Sequence, residues 1–224
     1  MNVLGFDTST AATSACVLRA DGEAFEFVPA QEALTAAPAH AQELMPRVAQ
    51  AMDESGLRWG DLDAIAVGVG PGTFTGLRIG VATARALAHA NDLELRPVSS
   101  LAALAAGIDT ELRLPLIDAK RGELFAAFYA REELRWPPFT ATPEELVGRV
   151  REAGLDGSPE LLAAGDGSLR FTEALEAGGI AIAARQVHVV RALHVCRLAH
   201  GVPAREADAV LPNYLREPDA KPQR

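Results

Sequence analysis

The sequence predicts an α/β fold, because short apolar strands alternate with helical segments along 224 residues of which 49% are hydrophobic. The clearest unit is the strand Asp63–Val67, a turn with three glycines and a proline, and a helix that continues to Ala88. The glycines let the turn adopt positive φ angles and approach a neighbouring segment closely. Either Thr73 or Thr75 can cap the helix.

The helix after this turn has an unusual surface. Small residues recur on it at every fourth position, at Gly76, Gly80, Ala84 and Ala88. Most of its remaining positions are apolar as well, and a helix that is apolar nearly all round is buried on two sides. We expect the chain's own sheet to cover one side and a partner to cover the other. The alternative is an ordinary glycine-rich turn and helix packed closely on their own sheet, with no partner.

The glycine-rich turn matches neither of the common nucleotide-binding motifs. A P-loop needs a Lys-Ser/Thr pair after its last glycine, and a dinucleotide-binding fold opens with Gly-x-Gly-x-x-Gly. Residues 68–80 contain neither pattern in the required place. Both interpretations are therefore rejected.

Composition restricts the partners and the compartment. The net charge is −9 and the pI about 5.1, so phosphate backbones repel this chain, and we expect tRNA to bind only through a complex. Cys16 and Cys196 lie far apart with no metal-binding spacing, which predicts two buried, unpaired thiols in a reducing compartment. No basic leader precedes the first strand and no apolar run reaches membrane-spanning length, so we expect a cytoplasmic protein that does not interact with membranes.

A hydroxyl-rich turn, Asp7-Thr8-Ser9-Thr10, follows the first predicted strand. In actin-like ATPases such a turn faces phosphate: the carboxylate holds hydrated metal, and the turn amides and hydroxyls face the phosphate oxygens. The alternative is a hairpin turn whose Asp and Thr side chains bond their own backbone. The residues alone leave both interpretations open.

The chain divides at a boundary near residues 107–113. The predicted parts are an N-terminal subdomain at 1–106, a second, reduced subdomain at 107–186, a C-terminal segment at 187–216 that packs back on the first subdomain, and a disordered tail at 217–224. A helix is predicted over 39–56, where Pro46 kinks or restarts it, and Ser99 or Ser100 caps another short helix.

The second part opens with another strand–turn–strand that loosely repeats the first. Its turn carries Asp118, Lys120, Arg121 and Glu123, which form either a charged site or a solvated turn. A looser, proline-containing stretch is predicted at 132–139. A helix over 143–150, a strand over 161–164 and a helix capped by Ser168 are predicted to follow.

No catalytic or metal-binding motif accompanies these turns. The five histidines include no i,i+4 pair and no cysteine at ligand spacing, so we expect no bound metal. No Gly-x-Ser-x-Gly elbow occurs, so no serine nucleophile is predicted.

Several motifs together resemble the bacterial TsaB (YeaZ) family, in the same order and over nearly the whole chain. They are Asp7-Thr-Ser9, His40 at the start of the first helix, Gly70-Pro-Gly-Thr-Phe-Thr-Gly-Leu-Arg-Ile-Gly80, Val98-Ser-Ser-Leu-Ala102, Ile117-Asp-Ala-Lys-Arg-Gly-Glu123 and Pro212-x-Tyr-Leu-Arg216. The resemblance implies an actin/Hsp70-like (ASKHA) fold of two related βββαβα-type subdomains. It also implies a role in making threonylcarbamoyladenosine (t6A) in tRNA.

The resemblance further implies a division of labour among three proteins. TsaB is the non-catalytic paralogue of TsaD, the metal-bearing transferase, and the ATPase TsaE joins the pair. TsaD carries a His-x-x-x-His metal motif, whereas the comparable place here reads His40-Ala-Gln-Glu-Leu44, so the second ligand is missing. We therefore expect no catalytic residue, no metal and no tightly bound cofactor, with ATP or ADP at the partner interface left open.

In the family, the first two helices of TsaB pack against the matching helices of TsaD in a four-helix bundle, and TsaB alone self-associates through the same surface. By this resemblance, the turn from Asp7 to Thr10 is a vestigial phosphate turn. The predicted interface residues are His40, Leu44, Val48, Phe74, Gly76, Leu77, Gly80, Val81 and Ala84.

Three functional hypotheses result. The first is a scaffold subunit that activates a catalytic partner. The second is an ATP-dependent enzyme resembling a small-molecule kinase, which requires an acidic residue opposite Asp7 and a glycine turn for adenosine; Asp118 and residues 165–167 are the candidates. The third is a metallopeptidase, which the histidine pattern disfavours.

Overall fold

The computed structural model describes residues 1–184 and 187–216 as two five-stranded sheets with helices packed on them. The first sheet has the order β3-β2-β1-β4-β5. Its strands are β1 (Val3–Asp7), β2 (Ser14–Leu18), β3 (Ala24–Phe27), β4 (Ala64–Gly68) and β5 (Glu94–Val98). Neighbours β1 and β2 are antiparallel, while β4 runs parallel to both β1 and β5. The predicted disordered tail at 217–224 lies outside the described residues.

Three helices belong to the first sheet: α1 (His40–Ser55), α2 (Phe74–Asn91) and α3 (Ser100–Ala105). Helix α1 continues through Pro46 and ends at Gly56, whose φ is 68°. Ser99 caps α3, since its side chain accepts a hydrogen bond from the Ala102 N–H. Thr73 occupies the N-cap position of α2, but its side chain makes no capping bond there. The capping prediction is therefore right for α3 and wrong for α2.

The second sheet repeats the order of the first, as β8-β7-β6-β9-β10. Its strands are β6 (Leu112–Lys120), β7 (Glu123–Ala130), β8 (Glu133–Ala141), β9 (Leu161–Ala164) and β10 (Ala181–Ile182). Its helices are α4 (Pro143–Glu152), α5 (Asp166–Arg170) and α6 (Thr172–Ala177). Both halves thus begin with the elements βββαβα, and each adds a fifth strand to a sheet of the same strand order.

Two sequence-based predictions for the second half are wrong. The stretch at 132–139 is not a loose connection, because β8 pairs with β7 there. An edge strand tolerates prolines, since its outer backbone groups need no partner in the sheet, and Trp136 stacks on Phe128 with ring centroids 4.8 Å apart. Ser168 caps no long helix; it lies within α5 and its hydroxyl donates to the Gly165 carbonyl.

The two halves share one apolar core around α3 and helix α7 (Ala192–Ala199). Helix α7 packs on β1 and β2, and Glu26 of β3 accepts a hydrogen bond from the Leu193 N–H at its start. Cys196 Sγ lies 3.5 Å from the carbonyl oxygen of Cys16. The fold therefore brings together two buried cysteines that the sequence analysis treated as unrelated, and both thiols are free.

Residues 203–216, which we call the C-terminal strap, connect both halves. The Arg205 N–H donates to Leu95 O of β5 at 2.9 Å, and the Asn213 N–H donates to Val69 O of the glycine turn at 2.7 Å. Arg216 then donates to Ala119 O of β6 at 3.2 Å. Within the described ranges, no helix is both long and apolar enough to cross a membrane.

Candidate functional site

The first turn, Asp7 to Thr10, lies between β1 and β2 and is closed to solvent. All four residues are at most 2% exposed. The turn is held on one side by the glycine turn that follows β4 and on another by the start of α2. Its polar groups therefore have to find partners within the protein.

The Asp7 carboxylate is fully engaged by the chain itself. Oδ1 accepts hydrogen bonds from the Ser9 N–H at 2.8 Å and the Ser9 hydroxyl at 2.6 Å, and Oδ2 accepts from the Ser100 hydroxyl at 2.6 Å. Burial raises the pKa of Asp7 above its ordinary value, while the bonds from Ser100 and Ser9 oppose this rise. A Cβ at Gly68 would overlap the same carboxylate, so glycine is required where β4 ends.

The small face of α2 packs against this turn. Thr8 Oγ1 donates to the Gly76 carbonyl at 2.8 Å. A Cβ added at Gly72 would overlap Ser9 O, one at Gly76 would overlap Thr8 O, and one at Gly80 would overlap Thr8 Oγ1. A backbone does approach this helix closely, as the spacing predicts, but it is the backbone of the chain's own first turn.

Most of the predicted interface residues are buried in the free chain. Eight of the nine predicted interface residues are buried within the chain itself, and Phe74 alone among them is partly exposed: the buried residues are His40, Leu44, Val48, Gly76, Leu77, Gly80, Val81 and Ala84. In the free chain these residues pack against the chain's own strands and first turn. Their contact with a partner remains a prediction.

The exposed side of α2 differs in composition from its buried side. It carries Thr75, Ile79, Ala82 and Ala86, and no acidic residue occurs anywhere in α2 of this acidic chain. On α1 the exposed apolar positions are Ala41, Met45 and Ala49, with Met45 44% exposed. Ala41 and Ile79 line one cavity, so the two rows are neighbours. We call this surface the α1–α2 face.

An apolar cluster fills the space between the first turn and α5. Ala12, which follows the turn, is buried with Leu34 and Val189, and Leu169 of α5 packs against them. Residues of both halves therefore touch beside the first turn.

The second turn is also held by internal bonds. Asp118 Oδ2 pairs with Lys120 Nζ at 2.8 Å and with Arg170 at 3.3 Å, and the Asp118 N–H donates to Asp166. Burial, with the Asp118 charge adding to it, raises the pKa of Asp166 to about 6. Arg121 adopts positive φ in the tight hairpin turn and has an interaction partner of its own.

His40 and Leu44 occupy the two positions of the His-x-x-x-His metal motif that the paralogue carries. Leu44, where the second histidine of the motif would stand, is buried in the core. His40 Nδ1 is bonded to the Thr13 hydroxyl at 2.8 Å. Within 1–184 and 187–216, no three His, Cys, Asp or Glu side chains lie close enough together to hold a metal ion.

Ser100 and the C-terminal strap are the parts of this region that the sequence analysis missed. Ser100 was considered only as a helix cap, yet it joins Asp7 to the glycine turn by also accepting a bond from the Gly70 N–H. In the strap, Tyr214 stacks on Phe74 with ring centroids 5.1 Å apart and accepts from Arg78. The motif Pro212-x-Tyr-Leu-Arg216 was the available signal.

Comparisons with known proteins identify the family. The model of the TsaD family, tRNA N6-adenosine threonylcarbamoyltransferase, matches residues 31–221. The solved structure of YeaZ from Pseudomonas aeruginosa aligns with a TM-score of 0.77 and 30% identity, over 96% of this chain and 99% of that one. The chain belongs to the TsaB (YeaZ) family. A second structure, EutJ from Carboxydothermus hydrogenoformans, shares only 14% identity at a TM-score of 0.51 and supports the fold alone.

The chain is also similar to curated proteins. The tRNA threonylcarbamoyladenosine biosynthesis protein TsaB of Escherichia coli (strain K12) is 36% identical over 140 residues, 59% of this chain and 57% of that protein. An uncharacterized protein of Mycobacterium leprae (strain TN) is 38% identical over 159 residues, 70% of this chain and 43% of that protein. The chain spans about half the length of the curated relatives that it matches. The predicted α/β, actin/Hsp70-like fold is confirmed by these structural relatives and the paired sheets.

Proposed function

We propose that this chain is a non-catalytic subunit of the complex that makes threonylcarbamoyladenosine in tRNA. It pairs with a TsaD-like transferase, a TsaE-like ATPase joins the pair, and tRNA is held only through the complex. The observation that carries the proposal is the closed first turn. Where an actin-like ATPase would face phosphate, Asp7 and the hydroxyls of Ser9 and Ser100 bond one another.

The apolar cluster around Ala12, Leu34 and Leu169 supports the same conclusion. A phosphate-binding cleft needs open space and unpaired donors, whereas the described residues place this apolar cluster between the first turn and α5. The chain is therefore proposed to bind no cofactor tightly, and any ATP or ADP in the complex is proposed to sit at the partner interface. A kinase-like activity would require Asp7 to leave three hydrogen bonds before it could hold a metal.

The partner is proposed to dock on the α1–α2 face. This surface presents methyl and methylene groups of Ala41, Met45, Ile79 and Ala82 and lacks carboxylates on α2. Interface cores have this composition, because charged groups are costly to dehydrate there. Without the partner, two copies are proposed to associate through the same face. We place the complex in the cytoplasm.

Ala82→Asp tests this proposal, with Ala177→Asp as the matched control on the exposed end of α6. Both substitutions lie on the exposed surface of the free monomer, so both variants should melt within a few degrees of the wild type. Ala82→Asp should weaken binding of the TsaD-like protein at least about tenfold, because the new carboxylate would have to lose its hydration in a dry interface. Binding is measured by calorimetry, and t6A formation by the reconstituted three-protein mixture is measured in parallel.

Two outcomes would contradict the proposal. Equal binding by the two variants would move the interface away from the α1–α2 face. Sustained ATP hydrolysis, or t6A formation by this chain alone, would show that it is itself an enzyme.

A further inference from the structure

The β6–β7 turn carries charged side chains that the fold and the proposed function leave unexplained. Lys120 pairs with Glu123 across the two strands, so Arg121 and Gly122 alone form the loop, and both have positive φ. A two-residue loop of this kind is a tight hairpin turn. A Cβ on Gly122 would meet no atom within 4 Å, so the tip of the hairpin stands in open space.

Two cations from distant parts of the chain meet at one carboxylate beside this turn. Lys120 Nζ lies 2.8 Å from Asp118 Oδ2, and Arg170 Nη1, from α5, lies 3.3 Å from the same oxygen. The side chain of Asp118 is 4% exposed, whereas those of Lys120 and Arg170 are 60% and 52% exposed. A ligand that approaches the turn from solvent therefore meets the two cations before it meets the carboxylate.

A third part of the chain brings another cation to the same place. Arg216 of the C-terminal strap donates to Ala119 O at 3.2 Å and to Glu123 at 2.6 Å. We call the cationic residues at this place the basic turn: Lys120, Arg121, Arg170 and Arg216. The fold gathers them in a chain that has 30 acidic and 21 basic residues, so the basic turn runs against the overall charge.

Stability does not explain this arrangement. Exposed ion pairs contribute about 0–1 kcal/mol each, because water screens them. Lys120 has three donor hydrogens and Arg170 has five, which is more than the one Asp118 oxygen between them can accept. Ammonium and guanidinium groups form charge-assisted hydrogen bonds with phosphate oxygens. The exposed donors of the basic turn are therefore suited to a phosphate ligand.

We propose that the basic turn contacts phosphate groups of the tRNA backbone while the complex holds the tRNA; this inference rests on the function proposed above. The exposed tip favours a long polyanion over a small phosphate ligand, because small ligands bind in concave pockets that bury most of their surface. The net charge of −9 repels tRNA from the chain as a whole. The basic turn therefore contributes to binding only when the other proteins bring tRNA close to it.

The test measures binding of tRNA to the reconstituted three-protein complex at several salt concentrations. Lys120→Gln and Arg170→Gln each remove a charge and keep an N–H donor for Asp118, so each should preserve the turn. Each should reduce the steepness of log K against log salt by roughly 0.7–0.9, the value for one lost phosphate contact, and the double variant by about twice that. At low salt the complex with the double variant should bind tRNA at least about tenfold more weakly.

Arg135→Gln is the matched control. Arg135 is also about half exposed, at 53%, and is paired with a glutamate on the edge strand β8. This variant should leave the affinity and the salt dependence unchanged. Lys120→Arg, which keeps the charge, should retain the salt dependence of the wild type.

The outcomes separate this inference from the proposed function. If the complex with the double variant assembles and forms t6A with an unchanged salt dependence of tRNA binding, this inference is overturned and the proposed function stands. Loss of assembly would make the basic turn a protein contact, and loss of only ATP or inorganic phosphate binding would make it a small-ligand site; either result overturns the inference. A wild-type complex that neither binds tRNA nor forms t6A would refute the proposed function, and this inference with it.

Discussion

Gly80→Ala tests directly what the small face of α2 contacts. The new Cβ would lie less than 3.0 Å from Thr8 Oγ1 and 3.6 Å from Thr8 Cβ. Thr8 is fully buried and its hydroxyl donates to Gly76 O, so the hydroxyl cannot rotate into solvent. The substitution therefore forces either the turn or the helix to move.

The expected change in stability is the sum of one stabilising and two destabilising contributions. Alanine in a helix interior is about 1 kcal/mol more favourable than glycine. Overpacking costs roughly 1–3 kcal/mol, and a displaced buried hydroxyl adds roughly 1 kcal/mol or more. We expect a net loss of roughly 1–3 kcal/mol in the free energy of unfolding, which for a chain of this size lowers the melting temperature by roughly 2–12 °C.

Gly148→Ala in α4 is the matched control, because nothing lies within 4 Å of a Cβ at that position. That variant should gain up to about 1 kcal/mol and melt slightly higher than the wild type. Thr8→Ala provides a second check, since it removes the hydroxyl and leaves an ordinary carbon contact. Calorimetry of the single and double variants then gives a coupling energy of roughly 1–3 kcal/mol. A Gly80→Ala variant that behaves like Gly148→Ala, or additive effects with Thr8→Ala, would refute the packing described for this face.

Three further predictions concern the two turns and the strap. Burial raises the pKa of Asp166 to about 6, so the stability of the wild type should fall as pH rises from about 4 to 6. Asp166→Asn should make the melting temperature less dependent on pH in this range and should be roughly 1–3 kcal/mol more stable than the wild type at pH 7. An unchanged pH dependence in the variant would contradict the raised pKa. Asp7→Ala should cost roughly 2–4 kcal/mol in denaturant titrations, because three buried donors lose their acceptor, and a loss below about 1 kcal/mol would mean that the turn is solvated. Arg216→Ala should speed hydrogen exchange at the β6–β7 turn near Glu123 with little change in melting temperature, and Arg216→Lys should do so less.

Much of the fold could be predicted from sequence because the relevant signals are local. The strand before the glycine turn, the boundaries of α1 and the cap at Ser99 depend on hydrophobic period and on single residues. The prolines of β8 led to the wrong prediction of a loose stretch at 132–139, because the sequence does not reveal that a strand lies at the edge of a sheet. The short β10 carries too few residues to show any period at all.

The candidate site could be predicted only in outline. The pattern Asp7 to Thr10 shows that hydroxyls surround a carboxylate, but not whether they face a ligand or one another. That distinction depends on Ser100, which is distant in sequence, and on where the glycines of α2 point. In the same way, Cys16 and Cys196 become neighbours only when α7 packs on β2. The small-residue stripe predicted a close approach correctly but did not reveal that the first turn makes it, because helical spacing reveals a face and not what covers it.

The C-terminal strap has a mechanical consequence. Two lobes linked by a single crossing segment can pivot about it, and many proteins use such a hinge to close on a ligand. Here the connection between α3 and β6, the shared core around α7 and the strap from Arg205 to Arg216 join the lobes in three places. These three connections oppose a simple hinge motion between the lobes. Under the function proposed above, a partner that docks on the α1–α2 face would therefore need to order little of this chain.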